Sequence, residues 1–334
     1  MNQIPQSRYI HIREIKLKAG TASEAANSPD KRQETRSREG EGTLHIPSGV
    51  RMLKRYVLRR SEGERYLKAS YRSLSGQDLD CDNPSTFTAK MFERLIRINR
   101  RGEPVFSRLA DKYLVREYVT AKLGPQHLVK LLWDGVDARK IPFDTLPTQY
   151  VIKTNHGSGG HVVVRGAVDR AKIIEQVAES LRQNYYWRSR EYHYHPIAPR
   201  ILVEEYLDDA EPSGPLDYRF WCFDGVPALI QVDNAAHTIN PFYDVHWNLL
   251  DLRYRKQVES CSVAKPGNLD EMLSAASTLA AGFDFVRVDL YNIRGRVLFG
   301  ELTFTPRGGF LEFQPRSWDL ILGQKWKVKA LPAG

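Results

Sequence analysis

Cysteine is scarce: Cys81, Cys222 and Cys261 stand far apart in 334 residues. That spacing makes neither a disulfide framework nor a CxxC zinc pattern, and it points to a reducing, cytoplasmic compartment. Long apolar runs are also missing. Nothing approaches the roughly 18 residues that cross a bilayer, and the first twenty residues carry Arg8, Arg13, Lys16 and Lys18 without the apolar segment of a secretory signal. No internal repeat is visible. Excess positive charge is confined to one end. Residues 1–75 hold 16 Lys and Arg against 8 Asp and Glu, which is +8 of the total +9. The rest of the chain requires no basic groove, so nucleic acid is not an expected partner. The basic end is a candidate peripheral contact for the anionic inner membrane surface, and its plainer reading is a solvated tail.

What is present is ordinary for a globular protein. Hydrophobic residues at 42% and charged residues at 27% allow a large core in two or three subdomains. Residues 1–48 lack periodicity, hold Tyr9 as their one aromatic, and are expected to be disordered; Met52, just beyond, is a second candidate start. A basic, weakly amphipathic helix is expected from Ser48 to about Arg72, with Met52, Leu53, Tyr56 and Val57 on one side. Asn83-Pro84-Ser85 opens a helix to about Asn99, and 104–123 reads as another, ended by Gly124-Pro125. Strands are expected over 149–154, 161–165, 200–206, 217–224, 226–232, 285–291 and 297–304, with Asp224-Gly225 as a hairpin turn. Asp169 caps one intervening helix. Asn268 caps another, with Glu271 completing a capping box and Gly282 ending it. The order is helical first, then mixed α+β built from hairpins.

Between the strand ending near Lys153 and the one restarting at His161 lie Asn155-His156-Gly157-Ser158-Gly159-Gly160. Glycines let backbone N–H groups approach phosphate oxygens, and a lysine on the preceding strand adds a point charge. The loop is neither a Walker A nor a Rossmann pattern, since no helix follows. By itself it reads equally well as a hairpin without a ligand.

Along the last two strands, Val286, Val288 and Leu290 share one face, as do Leu298, Leu302 and Phe304. Burying both sets together places Val288 opposite Gly300 and Leu290 opposite Leu298, with Ile293-Arg294-Gly295 as a three-residue turn. The other face then carries Arg287, Asp289, Glu301 and Thr303, with Arg287 facing Glu301 and Asp289 diagonal to it. Two converging carboxylates suit Mg²⁺, which takes few protein ligands and keeps positions for water and phosphate oxygens. The plainer alternative is a surface Arg–Glu pair beside a solvated Asp. Ile201 to Leu207 is an apolar strand ending in Glu204 and Glu205, a place to accept adenine amino protons or simply a strand end in solvent.

Taken together these runs resemble the ATP-grasp superfamily, and most of all its TupA-like branch, found with polysaccharide and teichuronopeptide biosynthesis. The resemblance spans about Asn83 to Gly323. It is carried by Leu109 to Val119, Val151 to Gly160, Glu204 to Leu207, Asp217 to Gly225, Phe285 to Tyr291 and Phe299 to Phe304. It implies an ATP-grasp fold, with two α+β subdomains gripping ATP over 149–325 behind a helical region over 49–148. It also implies that Lys112 and Lys153, with His156, Gly157, Ser158, Gly159 and Gly160, hold ATP, and that Glu204, Glu205, Tyr206 and Leu207 line the adenine. Asp289, Glu301 and Thr303 would bind Mg²⁺. Arg287, with Lys153 and with Arg219 (beside Asp217) as a further candidate, would meet the transferring phosphate.

The sequence departs from the pattern at Thr303, where these ligases usually carry Asn, and at Arg307, where the branch tends to be small. The implied chemistry is activation of a carboxylate as an acyl phosphate and its capture by an amine, with small-molecule or polymer-linked substrates. The alternatives are a glycosyltransferase-like enzyme using Asp78-Leu79-Asp80, and a non-catalytic nucleotide-binding protein. His193-x-His195 lacks a third metal ligand and is expected in an exposed loop.

Overall fold

The computed structural model describes residues 48–209, 214–253 and 261–328, with side chains from Glu62 onward. The tail expected to be disordered lies outside the described residues apart from Ser48, as do the side chains of Met52, Leu53, Tyr56 and Val57.

Four helices come first: α1 (Ser48–Ser75), α2 (Phe87–Arg101), α3 (Pro104–Ala110) and α4 (Val115–Leu123). Thr86, rather than the Asn83 region, caps α2, its side chain accepting from Ala89 N–H. The single helix expected over 104–123 is broken in two. The Asp111 carboxylate accepts from the N–H groups of Tyr113 and Leu114, and this turn restarts the chain as α4.

Next come β1 (Leu131–Gly135), β2 (Gln149–Thr154), β3 (Val162–Arg165), α5 (Arg170–Arg182), the short α6 (Tyr186–Ser189) and β4 (Ile201–Glu205). The four strands form one antiparallel sheet in the order β1-β4-β2-β3. The stretch expected to be helical over 49–148 thus contributes β1, which pairs along β4. Its Leu131-Leu132-Trp133 run is too short for its period to be read alone. Asp169 does cap α5, accepting from Lys172 N–H, and α5 lays Ile173 and Val177 over Ile152, Val164, Ile201 and Val203.

The second sheet contains β5 (Asp217–Phe223), β6 (Val226–Asp233), β7 (Phe242–Tyr243), β8 (Leu249–Leu250), β9 (Phe285–Ile293) and β10 (Arg296–Thr303), in the antiparallel order β10-β9-β5-β6-β7-β8. One face packs Val286, Val288, Leu290 and Phe220 against α7 (Leu269–Ala280) and α4. The other face is divided. Its apolar end, with Trp221 and Phe285, is covered by Phe87 and Met91 of α2 and by Leu322 and Trp326 at α8 (Ser317–Lys325). Its polar end is left facing the four-stranded sheet. Asn268 precedes α7 without capping it. Its amide is spent on Gly295 O and Asn292, tying the helix to the β9–β10 turn.

The register of β9 and β10 differs from the expected one. Arg294 (φ 52°) and Gly295 (φ 81°) are both left-handed, so the turn has two residues and Ile293 faces Arg296. At Gly300 the strand bulges, which restores the frame one residue later. Asp289 therefore faces Glu301 directly, and Arg287 faces Thr303. Leu298 leaves the core side and packs with Val129 and Ile293, while Val297 and Phe299 take the core side in its place. A Cβ on Gly300 would stand 3.0 Å from the Asp289 carbonyl oxygen, so the bulge needs glycine. An isolated glycine within a strand is itself the signal for a bulge. No helix among the described residues is long and apolar enough to cross a membrane.

Candidate active site

Cross-strand pairing sets the polar end of the six-stranded sheet in rows. Glu301, Asp289, Arg219 and Gln231 stand side by side across β10, β9, β5 and β6, and Tyr291, Asp217 and Asp233 form the next row. Arg287 donates from Nε to Asp289 Oδ1 (2.7 Å), and its Nη2 reaches Asp289 Oδ2 (2.5 Å) and Thr303 Oγ1 (3.0 Å). The Thr303 hydroxyl donates to Glu301 Oε1 (2.9 Å). Arg219 donates to Asp217 (2.8 Å) and Asp233 (2.6 Å) and lies 3.7 Å from Asp289. Burial would raise the Glu301 pKa, but Lys112, Arg287 and the Thr303 hydroxyl outweigh it and hold the carboxyl below its ordinary value. Burial, against the pull of Arg287 and with the repulsion of Asp217, pushes Asp289 up to about 8.

The four-stranded sheet presents the opposing wall. Lys153 Nζ pairs with Glu204 (2.6 Å), whose other oxygen meets Arg116 at 3.3 Å. Lys112, placed by the α3–α4 break, donates its backbone N–H to Asn155 O and its ammonium to Gly157 O. Burial lowers the Lys112 pKa, and Glu301 on the other sheet pulls it partly back. The two walls thus meet electrostatically at Lys112 and Glu301. Between them Leu207 packs with Val129, Ile293, Leu298 and Tyr291, an apolar floor.

The glycine loop is anchored at its base and open at its tip. Asn155 bonds Ala198 O and Arg200 N–H, and Gly157 lies against the Tyr185 ring. Ser158, Gly159 and Gly160 are exposed. His156 is not a cleft residue. It is buried, Nε2 bonds Gln183 O, and burial lowers its pKa, so it fastens the loop to the end of α5.

The segment Glu204 to Leu207 does not line one surface. Glu204 and Leu207 face the cleft. Strand alternation turns Glu205 to the opposite face, where it is exposed, and Tyr206 accepts a hydrogen bond from Arg165. His193 is buried rather than exposed; desolvation holds its pKa near 3, a neutral ring packed on Tyr194 and Phe304. Asp78 pairs with Arg72 on the surface and Asp80 caps the N–H groups of Asp82 and Asn83, so both are engaged within their own loop.

Arg116, Leu298, Asp233 and His237 are cleft residues that spacing did not single out. Only Leu298 carried a signal, through Gly300. Among the described residues no group of three or more His, Cys, Asp or Glu is arranged to hold a metal. Two facing carboxylates, one ionised and one crowded by Asp217, nevertheless fit Mg²⁺, whose charge would relieve the crowding and whose remaining positions belong to water and phosphate.

Two antiparallel sheets with their helices, meeting at a lysine-lined cleft beside an exposed glycine loop, make this an ATP-grasp fold. The chain belongs to the TupA-like ATP-grasp family, whose model matches residues 90–327. Solved structures similar to it include D-alanine–D-alanine ligase from Bacillus anthracis in complex with ATP, at 16% identity and TM-score 0.38, covering 63% of this chain and 60% of that one. The D-alanine–D-alanine ligase from Helicobacter pylori is 14% identical with TM-score 0.37, covering 65% and 57%. The D-cycloserine synthetase DcsG is 15% identical with TM-score 0.36, covering 66% and 70%. The chain thus spans about 60% of the length of the first of these ligases. A comparison with curated proteins finds no match.

Proposed function

We propose that the protein is an ATP- and Mg²⁺-dependent carboxylate–amine ligase that works through an acyl phosphate. Its substrates would be small or polymer-linked acids and amines of cell-surface polysaccharide or peptide conjugates. The observation that carries this reading is the facing pair Asp289–Glu301 (supported by Arg287 and Thr303) opposite Lys112 and Lys153. Mg²⁺, when bound at the carboxylates, supplies charge neutralisation for the nucleotide phosphates.

The protein's own groups do the rest. Lys153 and Lys112 bring positive charge to phosphate oxygens, at the cost of their present bonds to Glu204 and Gly157 O. Arg287 orients Asp289 and is placed to meet the phosphoryl group passing to the substrate carboxylate. The exposed glycines closing over the cleft exclude water, which would hydrolyse an acyl phosphate. No side-chain nucleophile is needed. The protein would act in the cytoplasm, with its basic end offered to anionic lipid at the inner membrane surface.

Glu301→Ala tests the reading. The expected outcome is a fall of at least about 100-fold in Mg²⁺-dependent ADP release, as for loss of a group that stabilises transferring charge, with unchanged far-ultraviolet circular dichroism. Unchanged ADP release removes the metal assignment.

A further inference from the structure

The turn after β6 is built around a histidine. Asp233, the last residue of β6, is fully buried, and its Oδ2 accepts from Arg219 Nη1 (2.6 Å) and from His237 Nδ1 (3.0 Å). Its Oδ1 accepts from Asn234 N–H. Asn234 then closes the turn: its Oδ1 accepts from Thr238 N–H (2.9 Å), its Nδ2 donates to Thr238 Oγ1 (2.8 Å), and its carbonyl accepts from His237 N–H (2.9 Å). These bonds hold His237 at φ 55°, a left-handed conformation that costs a non-glycine residue free energy.

The outcome is an imidazole with one nitrogen set against a buried carboxylate and its side chain 52% exposed. A carboxylate only accepts, so Nδ1 carries the proton and Nε2 is the basic nitrogen. Nε2 has no hydrogen-bond partner among the described residues. The place is the cleft. Arg219 links Asp233 to Asp289, 3.7 Å away. On the opposing wall His161, next after the glycine loop, has its pKa lowered by burial and then by the charges of Lys153, Lys112 and His237. Asn240, on the same connection to β7, is buried with neither amide atom partnered.

Activating a carboxylate with ATP calls for no proton acceptor, but the second half of a ligation does. An amine at neutral pH is an ammonium ion and must lose a proton before it attacks. We propose that His237 is the general base that takes this proton from the acceptor, with Asp233 as the positioning residue that orients the ring; the assignment rests on the ligase reading above. Nε2 accepts one ammonium proton, and Asp233 stabilises the imidazolium. The freed lone pair forms the C–N bond to the acyl carbon. The acyl C–O bond breaks, its electron pair leaves on phosphate, and phosphate takes up the second amine proton.

The test uses the full chain with ATP, Mg²⁺, and a panel of amino acids and uronic acids as carboxylates, with two probe nucleophiles. Hydroxylamine is mostly neutral at pH 7 and needs no base, whereas methylamine is almost wholly protonated. In His237→Gln the ratio of methylamide to hydroxamate formed is expected to fall about 100-fold or more, the range of general-base contributions. Free imidazole is expected to restore methylamide formation to His237→Ala. The His237 side chain is half exposed, so neither variant removes a core residue. An unchanged ratio, whether both products slow equally or neither slows, overturns the general base. If the wild-type protein makes no hydroxamate with any of these acids, the ligase reading itself is overturned and the base falls with it.

Discussion

Glu191 shows how far a single buried residue can depart from solution behaviour. It is buried, accepts a hydrogen bond from the Thr305 hydroxyl, and is pushed by burial to a pKa of about 7. The folded protein then holds this proton more tightly than the unfolded chain, whose glutamate titrates near 4.5. Its stabilising effect is full below that value and is lost as pH rises through about 7, by on the order of 3 kcal/mol. Replacing it with the neutral Glu191→Gln is expected to leave stability at pH 5 nearly unchanged and to raise it at pH 8. Urea midpoints at the two pH values check this, and equal effects at both would contradict it. His193 runs the other way. Its folded pKa near 3 means that stability is lost as pH falls below about 6.5.

At the scale of the element, the β9–β10 hairpin decides the site. Without the bulge at Gly300, the register set at the turn would continue and Glu301 would fall opposite Val288 on the core side, away from Asp289. Gly300→Ala puts a methyl 3.0 Å from the Asp289 carbonyl oxygen and 3.3 Å from the Tyr291 ring. The expected cost is about 1–3 kcal/mol, typical of overpacking. The thermal shift produced by ATP with Mg²⁺ should shrink as well, because Asp289 and Glu301 lose their register. A variant that is destabilised yet keeps the full nucleotide shift would separate the bulge from the site. The α3–α4 break works in the same manner. The Asp111 carboxylate interrupts a run that periodicity reads as one helix, and Lys112 sits at the interruption against the glycine loop.

At the scale of the whole molecule, the six-stranded sheet needs one end covered and the other open. Arg94 of α2 secures the covered end. It is fully buried, pairs with Asp284, donates to the carbonyls of Phe285 (2.9 Å) and Phe304 (3.1 Å), and lies over the Trp326 ring at 4.3 Å. Trp326 Nε1 donates to the same Asp284. Arg94→Leu takes the buried guanidinium away from that carboxylate and is expected to cost about 3–5 kcal/mol. Arg94→Leu with Asp284→Leu should recover part of the loss, as a chemical denaturation cycle of the two single variants and the double variant would show. Local chemistry made much of this molecule readable from the chain alone. Alternating apolar residues marked seven strands, Asp224-Gly225 and Asp169 marked a turn and a cap, and the glycine-rich connection after Lys153 marked a hairpin loop. Those signals act over a few neighbouring residues, where side-chain period and backbone freedom dominate. Which carboxylate faces which, how β1 joins its sheet, why His156 and Glu205 turn away, and that His237 meets Asp233 in the cleft depended on long-range pairing. A bulge, a capped helix break and a strained turn each shift a frame by one or a few residues, and only the packing of the two sheets against their helices selects them.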